Sequence, residues 1–124
     1  MKIEKKPVNF EDERGTIRDV IVESGIDAVT LLTCNPGSVR ANHFHKKSTQ
    51  YLYVVSGKFL CASQMGDGPI ETREMTEGDF ITNPPGEKHA FKALEKSVAL
   101  CIAKGERKGE NYEADTFRLE KPIL

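Results

Sequence analysis

The chain has 124 residues, enough for one compact domain with its own hydrophobic core and no covalent staples. Hydrophobic residues make up 38% and charged residues 30%, the balance of a globular protein, and a net charge of −1 with both signs interspersed argues against a nucleic-acid partner, which needs a basic face. No run approaches the roughly 20 apolar residues needed to cross a bilayer, and the opening MKIEKKPVNFEDERG has no apolar stretch after its lysines, so no membrane association and no secretory signal are expected and the cytoplasm is the predicted location.

Along the chain, short apolar runs alternate with turn residues. The predicted strands run from Thr16 to Val22, Ala28 to Cys34, Ser38 to His45, Thr49 to Ser56, Lys58 to Gln64, Ile70 to Met75, Asp79 to Thr82, His89 to Leu94 and Val98 to Ala103. NPGS, SGK, MGDGP, TEGD and NPPGEK between them are turn chemistry. Strands about ten residues apart, with no long 3.6-residue period, predict an all-β sandwich or barrel. Residues 104 to 115 read as a charged surface loop or linker, with a helical turn near Glu110 to Asp115. The closing TFRLEKPIL is apolar enough to pack on its own barrel or on a partner. Cys34, Cys61 and Cys101 are widely spaced in apolar stretches and read as reduced core thiols.

The chemistry concentrates in two segments. In GSVRANHFHKKSTQYLYVVSG, His43 and His45 stand at i and i+2, which on a strand points both side chains to one face. If the strands 38–45 and 49–56 pair across the short turn Lys46 to Ser48, Gln50 lies beside them. In GDFITNPPGEKHAFKA, His89 enters a strand after a tight turn, with Phe91 and Ala93 on its face. The chain holds 3 histidines and all fall in these segments. Three imidazoles and an amide facing one cavity are a candidate metal site, with imidazole suited to Zn, Cu, Ni and Fe and a coordination position left for water or substrate. On the same parity, Arg40, Asn42 and Phe44 point away from the cavity. Tyr51 and Tyr53 fall on an outer sheet face or dimer interface, Lys46 and Lys47 form a charged turn, and Phe59, Phe80 and Phe91 line core or cavity.

These two segments resemble the paired motifs of the cupin family. Gly37, His43, His45, Gln50 and Gly57 fit G-x5-H-x-H-x3,4-E-x6-G, and Gly78, Pro84, Gly86 and His89 fit G-x5-P-x-G-x2-H-x3-N. The resemblance implies an all-β cupin jelly-roll β-barrel. It would be a single domain over 1–124, with a barrel core at about 15–104 and a C-terminal extension at about 105–124. It also implies a divalent metal (Zn, Ni, Fe or Cu) held by His43, His45, Gln50 and His89. Gln50 replaces the usual glutamate and Ala93 the usual asparagine. An uncharged amide would leave the ion its full charge, which disfavours hard ions and strengthens its Lewis acidity.

The run VRANHFHKK, together with the early DERG, is similar to cupins that act on nucleotide-linked sugars, among them dTDP-4-keto-6-deoxyhexose 3,4-ketoisomerases. Ala41 stands where that group commonly has glycine. That resemblance implies an isomerase or epimerase on a carbohydrate or nucleotide sugar. His43 or His45 would be the acid–base catalyst if the site is metal-free, since a ligating histidine is not available as a base. The alternatives are a metal-dependent oxygenase and a non-catalytic small-ligand-binding cupin. A small-molecule ligand and a homodimer are expected in each case.

Overall fold

The structure is a computed structural model that describes residues 1–105 and 114–124. Among the described residues there are strands and turns and no helix, hence none able to cross a membrane. One five-stranded sheet orders as β1 (Lys2–Lys5), β9 (Asp79–Asn83), β6 (Thr49–Ser56), β11 (Ser97–Lys104) and β4 (Ile26–Cys34). The other orders as β12 (Phe117–Arg118), β5 (Val39–Phe44), β10 (Glu87–Ala93), β7 (Lys58–Met65) and β8 (Glu71–Thr76). β2 (Phe10–Asp12) and β3 (Gly15–Ile17) form a separate hairpin.

The two large sheets close face to face, all pairings antiparallel, as a jelly roll does. Period-2 alternation explains the core. Leu52, Val54, Ile81 and Ala99 point inward from one sheet and meet Phe59, Cys61, Met75, Phe91 and Ala93 from the other. Phe59 and Phe91 meet edge to face at 5.7 Å between ring centres. Tyr51 and Tyr53 of β6 point outward, and they too are buried. Tyr51, Tyr53, Phe80 and Ile102 form a second cluster outside the sheet, covered by Val20, Ile21 and Ile26.

This cover corrects the strand expected over Thr16 to Val22. Pairing stops at Ile17, and the following residues cross the sheet instead. An apolar outer face needs burial, and adjacent Val20 and Ile21 supply it only by leaving the extended ladder, whose alternation would turn one of them to water. Arg18 donates to the Tyr53 hydroxyl at 3.1 Å and Tyr51 donates to Glu23 at 2.9 Å, pinning the crossing at both ends. Phe80, read as core or cavity lining, belongs to this outer cluster and stacks on Tyr51.

A second correction concerns β5 and β6. They do not pair: β5 pairs with β10 and β12, whereas β6 pairs with β9 and β11. The turn between them therefore passes from one sheet to the other. The helical turn expected at 110 to 115 falls mostly outside the described residues.

Candidate functional site

On β10 the inward residues are Glu87, His89, Phe91 and Ala93, and on β5 His43 stands directly opposite His89. His45 follows one step beyond β5. The ring centres lie 4.8 Å apart for His43 and His45, 4.7 Å for His43 and His89 and 5.3 Å for His45 and His89. One nitrogen from each ring falls within 4.8 Å of the others. Gln50 arrives from the opposite sheet, and its Oε1 lies 3.0 Å from His45 Nε2. The four expected residues thus come together, but Gln50 reaches the histidines across the barrel rather than along a shared ladder.

The local backbone is set by the motif turns. Gly86 N–H donates to the His45 carbonyl at 2.6 Å, tying the turn before His89 to the end of β5. At the far end of the same strand pair, Gly37 N–H donates to the Ala93 carbonyl at 2.8 Å and Ala93 N–H to the Ser38 carbonyl at 3.0 Å.

A β-bulge corrects the placement of Arg40. The register pairs His89 with His43 but Ala90 with Ala41, so Asn42 is the extra residue, and Ala41 and Asn42 adopt φ of 73° and 55°. Parity inverts across the bulge, and Arg40 comes opposite the inward-facing Phe91. Arg40 lines the cavity with His43 and Gln50 and donates to the Thr33 carbonyl at 3.2 Å. Left-handed backbone costs an alanine roughly 1–2 kcal/mol, whereas glycine is free of that cost and loses roughly 0.5–1 kcal/mol in chain entropy. Ala41→Gly is therefore expected to stabilise the protein by about 0.5–1 kcal/mol, read as a higher urea midpoint with unchanged slope. A lower midpoint would show that the alanine conformation is unstrained.

The last wall comes from the C-terminal segment. β12 pairs with β5, Arg118 opposite His43 and Phe117 opposite Phe44, so TFRLEKPIL packs on its own barrel. The bulge anchors it: Ile123 N–H donates to Asn42 Oδ1 at 2.9 Å, and the Asn42 amide donates to the Leu124 carbonyl at 3.3 Å. Arg118 and Thr116 line the cavity beside His43, His45 and Gln50. Sequence reasoning did not single out Asp115, Thr116 or Arg118, because nothing in a charged, Gly-containing stretch marks which residue returns to the site.

Asp115 is buried, and its carboxylate accepts the backbone N–H groups of Lys46 at 3.0 Å, Lys47 at 3.0 Å and Ser48 at 2.9 Å. Burial alone would raise this carboxyl, but the N–H groups of Lys47, Ser48 and Lys46 and the Ser48 side chain outweigh it and hold it below the ordinary value. Lys46 and Lys47 are the charged turn expected of them, and Lys46 Nζ sits 4.3 Å above the Phe117 ring.

Hydrogen bonds fix the imidazoles. His45 Nδ1 lies 3.0 Å from the Asp115 carbonyl and His89 Nδ1 lies 3.0 Å from the Glu87 carbonyl. A carbonyl only accepts, so each Nδ1 carries the proton and each neutral ring keeps its lone pair on Nε2. His89 Nε2 is buried without a hydrogen-bond partner. Burial first, then the nearby His43 and His45, push the His89 imidazole down to about 3 against the bond from the Glu87 carbonyl. His89 is therefore a neutral ring at physiological pH. His45 differs in that its Nε2 faces Gln50 Oε1 as well as the cavity.

No carboxylate or tyrosine lines the cavity among the described residues, and the two arginines Arg40 and Arg118 stand at its mouth. Cys101 lines it, half-buried, while Cys34 and Cys61 lie in the core, and none of the three is in a disulfide.

A profile of the family described as Cupin domain matches residues 30–103. No curated protein matches the chain. Among solved structures, the sugar 3,4-ketoisomerase QdtA from Thermoanaerobacterium thermosaccharolyticum, in complex with TDP, superimposes with a TM-score of 0.77 at 19% identity, over 96% of this chain and 88% of that one. The dTDP-4-dehydrorhamnose 3,5-epimerase from Sulfolobus tokodaii gives a TM-score of 0.71 at 22% identity, over 82% of this chain and 68% of that one. The capsular polysaccharide assembling protein CapF from Staphylococcus aureus gives 0.68 at 21% identity, over 94% of this chain, which spans only 34% of CapF. At these identities the likeness is one of fold.

Proposed function

The chain belongs to the cupin family, and from that premise we propose that it is an isomerase or epimerase acting on a nucleotide-linked sugar, with His45 as the group that moves the proton. The observation that carries this reading is the setting of His45. Its Nδ1 is held 3.0 Å from the Asp115 carbonyl and its Nε2 lies 3.0 Å from Gln50 Oε1, beside a cavity whose lining, among the described residues, offers no carboxylate or tyrosine as a competing base. His45 takes a proton from the carbon next to the sugar carbonyl through Nε2 to give an enediol, and returns it to the neighbouring carbon while the hydroxyl proton passes from one enediol oxygen to the other. Gln50, buried, orients the ring. Arg40 and Arg118 at the mouth hold the diphosphate, for which a cavity lined by cations and, among the described residues, by no acids is suited. Leu32 and Phe91 keep water from the reacting carbon.

The neighbouring 3,4-ketoisomerase is known in complex with TDP-4-keto-6-deoxyglucose, which makes that compound the first substrate to test. In D2O the wild-type protein is expected to exchange deuterium into the sugar next to the keto group, and His45→Asn is expected to lower that rate by about 10²–10⁴-fold. Exchange unaffected in His45→Asn would remove His45 from the role. No exchange with any nucleotide-linked keto sugar would sink the reading.

A second reading has its own support. The buried, unpartnered Nε2 of His89 and the lone pair of His45 Nε2, 3.0 Å from Gln50 Oε1, are the donor set of a divalent transition ion. His43, His45, Gln50 and His89 would hold the ion, and their two tethered Nδ1–H groups would orient it. When bound, such an ion polarises a substrate carbonyl or, as iron or copper, supports oxygen chemistry. Elemental analysis of protein purified without chelator, beside His43→Ala/His89→Ala, separates the two. Turnover that survives chelation belongs to the acid–base reading. A stoichiometric metal that vanishes in the double variant, together with its activity, belongs to the metal reading. A homodimer is part of the proposal: the edge strand β4 presents Val29 and Leu31, 60% and 65% exposed, as apolar surface for a second copy.

A further inference from the structure

We infer that Asp115 is a positioning residue for His45: its backbone carbonyl selects the Nδ1–H tautomer that leaves Nε2 facing the cavity, and its side chain fixes where that carbonyl stands. The inference rests on the proposed role of His45 and extends it to a residue that touches no reacting atom.

Two halves of one residue act together. The carbonyl lies 3.0 Å from His45 Nδ1. The carboxylate gathers the N–H groups of Lys46, Lys47 and Ser48, the turn that immediately follows His45. Asp115 thus grips both the ring and the backbone that carries it. A free imidazole favours its Nε2–H tautomer, which would aim a donor at the cavity and leave the lone pair turned away. The position is set by chain segments far apart in sequence, and it lies beyond residues 30–103 that the family profile matches. Neither of the two cupin motif segments contains it.

His89 supplies an internal control. Its Nδ1–H is held by the Glu87 carbonyl on β10, independently of the C-terminal segment. The test is two-dimensional ¹H–¹⁵N correlation of the histidine rings in the full chain at about pH 9, where imidazoles are neutral, for wild type, Asp115→Ala and Asp115→Asn. In the wild type both His45 and His89 are expected to be Nδ1–H tautomers. In Asp115→Ala, His45 moves to a mixture dominated by Nε2–H while His89 stays. Asp115→Asn, whose amide oxygen still accepts from the turn, keeps most of the wild-type signature. With a sugar-nucleotide substrate, kcat in Asp115→Ala falls roughly 10²-fold, the scale of a small misplacement, with KM unchanged.

A His45 tautomer unaltered in both variants would overturn the inference. So would His89 shifting together with His45, which marks a general structural role. If the tautomers respond as expected but no variant, wild type included, exchanges substrate protons, the functional reading fails and the positioning role stands.

Discussion

Gly57→Ala is expected to melt about 10 °C or more below the wild type, while Gly37→Ala, at almost the same backbone angle, loses only about 5 °C. The two glycines bound the first cupin motif segment, Gly57 closing it and Gly37 opening it, with φ of +90° and +84°. A side chain in that region costs roughly 1–2 kcal/mol at either position. The surroundings make the difference. A Cβ on Gly37 meets nothing within 4 Å, whereas one on Gly57 falls 2.6 Å from the Cβ and 2.7 Å from the Cα of Ser97. Ser97 is fully buried and cannot retreat cheaply: its hydroxyl accepts from Lys58 N–H at 3.0 Å and donates to the Glu95 carbonyl at 2.8 Å. Overpacking of this kind adds roughly 1–3 kcal/mol, for a total of about 2–5 kcal/mol. At roughly 4 °C per kcal/mol for a domain of this size, thermal unfolding resolves the two variants easily. Equal melting points would mean that the β6–β7 turn and the β10–β11 turn are not in contact.

Metal-free protein is expected to lose stability steeply in mild acid because of His89. Its imidazole is held at about 3 in the fold, chiefly by burial, against an ordinary value near 6.5 in the unfolded chain. Between those values the unfolded chain binds the proton and the folded chain does not. The contribution is therefore fully present above about pH 6.5 and is lost as the pH falls, at up to about 1.4 kcal/mol per unit. Urea unfolding between about pH 4 and 7 measures it, with His89→Gln as reference. The carboxylates titrate alike in both proteins and drop out of the difference. The wild type should show the steeper loss, and parallel curves would mean that His89 is accessible to protons in the fold.

The barrel was legible because its signals are local. Alternating runs, glycine and proline turns, and the His43–His45 spacing each depend on a few adjacent residues. Gln50 was found by an argument from ladder pairing that the fold does not use; the motif spacing kept it in place while the chain changed sheets. Arg40 was misplaced because parity counting assumes an unbroken ladder. The bulge at Asn42 carries no glycine to announce it, Ala41 taking the left-handed conformation instead. Asp115 and Arg118 were invisible for a different reason. Their roles come from a return of the chain over some seventy residues, and contacts of that separation leave no periodicity to read. The Val20–Ile21 crossing belongs with them, since only the assembled sheet shows that its outer face needs a cover.

The C-terminal segment has a consequence for how such proteins diversify. The matched family region ends at residue 103, yet Thr116 and Arg118 wall the cavity and Asp115 orients His45. Selection can therefore retune ligand choice by altering a short appendage held by Asn42 and a single two-residue strand, without disturbing the packed interior. Grafting this tail between related barrels becomes a way to exchange specificity as a cassette, and trimming a gene to its recognised domain would discard part of the site.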